Sequence, residues 1–176
     1  SWRPKHIPID ESIPREVQGI LSQRLYVEKA RLPPAMINQI KRLAVFQNPE
    51  FYKKQNLRLS TALTPRVISC AEDHGKYISL PRGCLDDVRM LLQEYEGHLE
   101  LDDLRYTGEP IEATFLGELT KAQLQAVTAM ARHDNGMIVA PPGFGKTVLG
   151  TYLIAERKCN TLVLVHRQPL LEQWRS

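Results

Sequence analysis

Gly143, Gly145, Lys146 and Thr147 are the residues of this chain whose types and spacing are best suited to chemistry. They close the stretch 136–149, which reads Gly-Met-Ile-Val-Ala-Pro-Pro-Gly-Phe-Gly-Lys-Thr-Val-Leu. A glycine has no Cβ, so the backbone can turn sharply there and bring its N–H groups up to an anion's oxygens. A helix opening at Lys146 presents its positive end to the same anion. A lysine at that point supplies charge for the β- and γ-phosphates of a nucleotide, and a threonine hydroxyl beside it can complete a Mg²⁺ shell. The apolar run Met137, Ile138, Val139 and Ala140 precedes the turn. Strand, glycine loop and helix start, in that order, are the context in which such a loop binds phosphate. The chemistry implied is that of a nucleoside triphosphate site.

No other constellation competes with it. Cys70, Cys84 and Cys159 are far apart and lack Cys-x-x-Cys spacing. They read as small buried hydrophobes in a reducing compartment, not as a zinc or disulfide set. The five histidines are scattered. Asp86-Asp87 and Asp102-Asp103 are adjacent pairs whose side chains diverge, and they read as solvated surface. No apolar run reaches membrane-spanning length, and the first residues lack a charged-then-apolar signal. A soluble, cytoplasmic protein is expected.

The 176 residues suffice for one or two domains with a real core. The net charge of +3 says little. Its distribution says more: residues 1–55 carry ten Lys/Arg against five Asp/Glu, 56–119 six against twelve, and 120–176 seven against three. Two basic segments flank an acidic one, which suggests separate modules and nucleic acid as a partner.

The elements that would position these groups follow from periodicity. Val17, Ile20, Leu21 and Leu25 fall at helical spacing after Pro14, and Pro33-Pro34 opens a second helix with Met36 or Ile37, Ile40, Leu43 and Ala44 inward. A helical hairpin is expected there. Residues 48–58 mix aromatics with cations, as a base-stacking surface would, although Phe51 and Tyr52 read more readily as anchors to a core. Residues 66–71 and 76–80 read as strands around a turn at 73–75, followed by an amphipathic helix on Leu85, Val88, Leu91, Leu92 and Tyr95. Gly97 ends that helix, and residues 98–106 read as a third strand. Residues 107–116 read as a linker. Thr120 caps a helix carrying Leu124 and Val127. A helix from Lys146 to about Lys158, then the apolar run 161–165, completes a βαβ unit with a parallel sheet. Pro169 sits in the first turn of a last helix.

Three stretches together resemble a known group. Residues 119–123, then Ala-Pro-Pro-Gly-Phe-Gly-Lys-Thr at 140–147, then Leu-Val-Leu-Val-His-Arg-Gln-Pro-Leu-Leu-Glu-Gln-Trp at 162–174 resemble successive motifs of superfamily 2 DEAD/DEAH-type helicases. They correspond to the adenine-reading glutamine segment, motif I and motif Ia. Ala140 stands where the general loop pattern has glycine, a variant familiar in helicases. The likeness is greatest to the branch holding XPB-like repair helicases and restriction-enzyme motor subunits, and to the helicase arm of TOTE conflict systems. More weakly, residues 48–52 and 80–83 resemble the region ahead of the motor, where a small α+β recognition module sits.

The resemblance implies a fold and a set of roles. The expected class is α/β: a helical N-terminal segment (1–55), a small α+β accessory domain (56–116), and an incomplete RecA-like, parallel-sheet P-loop domain (117–176). Pro142, Gly143, Phe144, Gly145, Lys146, Thr147 and Val148 would hold ATP, with Mg²⁺ on Thr147. Lys146 and Thr147 would be the catalytic members. Gln123 would read adenine, with Gln125 a less favoured substitute. Arg167 would touch the phosphate backbone of DNA, or of RNA. Gln173 and Trp174 would serve helix packing. No Asp-Glu box follows within the 176 residues, and a second motor lobe with arginine fingers is absent. The chain is therefore expected to be the N-terminal fragment of an ATP-dependent helicase or translocase, inactive as a hydrolase without the remainder of the motor. The alternative is a nucleic-acid- or protein-binding module with a vestigial loop.

Overall fold

The computed structural model describes residues 12–175. They form two compact units, divided between Arg105 and Tyr106.

The first unit is built on a five-stranded sheet. Its strands are β1 (Glu16–Leu21), β2 (Leu25–Glu28), β5 (Glu72–His74), β6 (Tyr77–Leu80) and β7 (His98–Asp103), in the order β5-β6-β2-β1-β7. Neighbours are antiparallel except β1 and β7, which run parallel with Val17 opposite Leu99. The helices α1 (Pro34–Leu43) and α3 (Leu85–Gln93) supply the apolar cover. The core joins Val17, Leu21, Leu25, Val27, Ile78 and Leu80 from the strands to Met36, Ile40, Val88, Leu91 and Leu92 from the helices. At about 1.5–3 kcal/mol for each fully buried aliphatic side chain, this is the main stabilising term of the unit. A two-stranded ribbon of β3 (Val45–Gln47) and β4 (Val67–Ser69) and the helix α2 (Pro49–Asn56) complete it.

The N-terminal helical hairpin is only half present. Its second helix is α1, started by Pro33-Pro34 as expected. Its first is a β-hairpin. Val17, Ile20 and Leu21 satisfy both a helical spacing and, through Val17 and Leu21, a strand alternation. The competing signal wins because β7 pairs along the whole of β1 and β2 along its second half. The boundary expected at 55/56 consequently falls inside one fold, since strands from both sides of it share the sheet. The strand expected at 66–71 pairs with residues 45–47, and β6 finds its hairpin partner in β5. The helix on Val88, Leu91 and Leu92 and the strand after Gly97 lie where periodicity places them. Phe51 and Tyr52 are half-buried and contact each other edge to face at 5.4 Å between centroids.

The second unit holds three helices: α4 (Lys121–Ala131), α5 (Lys146–Arg157) and α6 (Gln168–Arg175). The two apolar runs expected to be parallel strands are extended but form no ladder among the described residues. Met137, Val139, Leu162 and Leu164 are 82–90% exposed. Parallel strands take their stability from neighbours on both edges and helices on both faces. Neither run has a ladder partner among the described residues, so the parallel sheet expected of this unit does not form among them. Beside the runs lies a cavity of about 740 Å³, lined by Met130, Met137, Leu153, Ile154, Leu162 and Trp174 among others. Residues 107–116 are not a free linker either. Glu109 and Ile111 exchange backbone hydrogen bonds with Asn160 and Lys158, and Phe115 packs edge to face on Tyr152. No helix among the described residues is long and apolar enough to cross a membrane.

Candidate nucleotide site

The site is assembled by two helix starts. Thr120 caps α4 through a reciprocal pair of bonds: its hydroxyl accepts the Gln123 N–H (3.3 Å), and Gln123 Oε1 accepts the Thr120 N–H (2.9 Å). Such a box satisfies two of the donors that every helix start leaves without an intrahelical acceptor. It also fixes the Gln123 amide. The Nε2 of that amide donates to the Phe144 carbonyl at 2.8 Å. One glutamine thus ties the start of α4 to the glycine loop. Gln125 is exposed and takes no part.

The loop itself turns through two left-handed glycines, Gly143 (φ +79°) and Gly145 (φ +85°). An L side chain is strained at either position. At Gly145 a Cβ would also lie 2.7 Å from Gln123 Nε2, whereas at Gly143 it would meet nothing within 4 Å. The loop therefore faces open space on one side and is braced on the other. Gly145 is the N-cap of α5 and offers no side-chain cap. Among the described residues, the backbone N–H groups of Gly143, Gly145, Lys146, Thr147 and Val148 donate to no protein acceptor. Five such donors stand at the positive end of a twelve-residue helix, a geometry that suits an anion. Pro142 contributes no N–H and shapes the turn, whose one internal bond runs from Phe144 N–H to the Pro141 carbonyl at 3.3 Å.

Lys146 is exposed, and its Nζ donates to the carbonyls of Ala140 (3.1 Å) and Pro141 (3.0 Å). Those acceptors hold the ammonium over the first residues of the loop. The Thr147 hydroxyl accepts from Gln173 Nε2 of α6 at 3.0 Å. Sequence reading assigned Gln173 to packing only. The contact spans 26 positions and leaves no mark in local pattern. Trp174 does pack as expected, against the backbone of Gly150. Arg167 is exposed just ahead of α6, where its carbonyl accepts the N–H groups of Leu170 and Leu171.

Residues 116–176 match the family model described as "Type III restriction enzyme, res subunit". The chain is also 33% identical over 75 residues to "Putative helicase 109L" of Invertebrate iridescent virus 3. That stretch covers 43% of this chain and 23% of the viral protein. Both likenesses are to helicase-type proteins, and the family match contains the whole glycine loop, Gln123 and Arg167.

The groups at the loop suit a Mg²⁺-bound triphosphate: five of the amides have no competing acceptor among the described residues, the lysine is at the loop, and the hydroxyl stands at the second residue of α5. Among the described residues no cluster of three His, Cys, Asp or Glu side chains could hold a metal unaided. Thr147 and the phosphates would have to hold the ion together. Gln123 keeps one amide proton and one carbonyl lone pair beyond its two protein bonds. Those match the N7 acceptor and N6 amino donor of adenine. The cysteines are free and half-buried, less enclosed than expected. Burial first, and Asp87 second, push the Cys84 thiol above its usual range. It stays a thiol at neutral pH and offers no nucleophile.

Proposed function

We propose that residues 106–176 are part of the nucleotide-binding lobe of an ATP-dependent DNA translocase or helicase of superfamily 2, in the branch of XPB-like and restriction-subunit motors. The observation that carries this reading is the set of five amides, of Gly143, Gly145, Lys146, Thr147 and Val148, that have no protein acceptor among the described residues at the start of α5. The match of residues 116–176 to the restriction-subunit family supports it. Pro142, Gly143, Phe144 and Gly145 wrap the phosphates. Lys146 exchanges its two loop carbonyls for β- and γ-phosphate oxygens, and Gln123 reads adenine. Thr147 would hold Mg²⁺, which would supply charge neutralisation to the phosphates. Arg167 meets a nucleic-acid phosphate, a contact that positions the strand without reading sequence. On this reading the 176-residue chain binds ATP and by itself hydrolyses it little or not at all, because the resemblance places the acidic box that orients the attacking water outside these residues.

The test separates the two binding events. Lys146→Ala should weaken ATP binding by about 10- to 100-fold, the cost of one or two hydrogen bonds between charged groups, and leave duplex DNA binding unchanged. Arg167→Ala should do the reverse and flatten the salt dependence of DNA affinity. A chain that binds DNA but no nucleotide would favour a binding module with a vestigial loop. A chain that binds neither refutes both.

A further inference from the structure

Two adjacent residues of α6 meet α5 on one face. Gln173 Nε2 donates to Thr147 Oγ1 at 3.0 Å. The Trp174 indole lies against Gly150, three positions along, so closely that a Cβ there would stand 2.5 Å from Trp174 Cη2. Positions three apart are neighbours on a helix surface. The indole therefore sets the height of α6 along α5, and the amide next to it falls on the hydroxyl.

We propose that Gln173 is a positioning residue for this hydroxyl, making the Mg²⁺ affinity of the nucleotide site depend on α6. The inference rests on the nucleotide reading above and deepens it. A threonine hydroxyl has one proton and two lone pairs. In the structure the amide donates to one lone pair. With Mg²⁺ on the other lone pair, the hydroxyl would be a stronger donor. An amide presenting Oε1 to the hydroxyl would accept its proton and leave the oxygen's lone pairs for the metal. Outer-shell bonds of this kind fix the orientation of a metal ligand, and losing one typically costs about 10–100-fold in metal affinity. With no acidic cluster among the described residues to hold the ion, the direction of the Thr147 oxygen carries unusual weight.

A fluorescent ATP analogue titrated into the 176-residue chain, once with Mg²⁺ and once with EDTA, tests the proposal. Gln173→Met keeps the length of the side chain and loses the amide. It should weaken binding about tenfold in Mg²⁺ and leave binding in EDTA unchanged. Gln173→Glu keeps an acceptor for the hydroxyl and should retain most of the Mg²⁺-dependent affinity. Equal losses with and without Mg²⁺, or no loss in either, would overturn the proposal while leaving the nucleotide site intact. No binding by the unaltered chain would instead sink the nucleotide reading itself, and this inference with it. A second measurement needs no change in α6. With Trp2→Phe, Trp174 is the sole tryptophan, and its emission should respond to ATP with Mg²⁺ but not to ATP in EDTA. Identical responses contradict the proposal.

Discussion

The two units satisfy the same chemistry of burial to very different degrees. Residues 12–105 close a core of thirteen buried apolar side chains between a sheet and two helices. Residues 106–175 fully bury only Val127 and Leu149 among their apolar side chains, and leave five aliphatic or methionine side chains of two extended runs exposed. The glycine loop nevertheless has well-defined geometry in the second unit. A glycine turn, a capped helix start and a bracing glutamine are fixed by bonds spanning at most 21 positions. A parallel sheet is not, because each strand waits on a neighbour supplied from elsewhere in the chain. The turn geometry of a glycine loop can thus be set by local rules where no ladder forms beside it among the described residues.

Hydrogen exchange offers the largest effect with which to break this contrast. Amides of β1, β2, β6 and β7 should exchange slower than those of 137–140 and 161–165 by a factor on the order of 10³ or more, since local opening spans nearly zero up to the global stability. Comparable protection in both places would show that the two runs have found partners. Next in size is Leu92→Ala in α3. Leu92 is fully buried, and the truncation should cost about 2–5 kcal/mol in denaturant unfolding of the first unit. ATP affinity should not change. A parallel loss of ATP binding would mean that the units are not separate in the way their cores imply.

The smallest effect is electrostatic and confined to the first unit. Hydrogen bonds from Lys29 and then Lys41 hold the exposed Asp73 carboxyl below its usual value of 3.8. A depressed carboxylate contributes stability above its unfolded pKa, and loses it as pH falls through the lower folded value. Asp73→Asn should therefore lower stability slightly at pH 7 and erase a shallow decline below about pH 4. High salt should weaken the effect, as expected for a solvated pair. A steep acid transition surviving in Asp73→Asn would point to a different carboxylate.

What was legible in the sequence divides along the same line. Caps and glycines announce themselves: Thr120 with Gln123, the Gly143–Gly145 turn, Pro34 opening α1 and Pro169 in the first turn of α6 all lie where their chemistry puts them. Long-range pairing does not. β1 looks helical until β7, some eighty residues later, lies beside it. The ribbon of β3 and β4 joins two three-residue strands too short for any periodicity. Of the candidate site, the structure brings Gln123 to the loop through Phe144, while Gln125 stays out in solvent. Gln173 was legible only as a packing residue, because a hydrogen bond between two helices leaves no spacing to read.

The amides of Gly143, Gly145, Lys146 and Thr147 are the proposed receptors of a triphosphate. Backbone ¹⁵N–¹H spectra of the 176-residue chain, recorded while ATP and Mg²⁺ are added, test this directly. The account predicts large, saturable shifts of Gly143, Gly145, Lys146 and Thr147, lost in Lys146→Ala. Saturable binding that leaves these four resonances in place and moves others would contradict it.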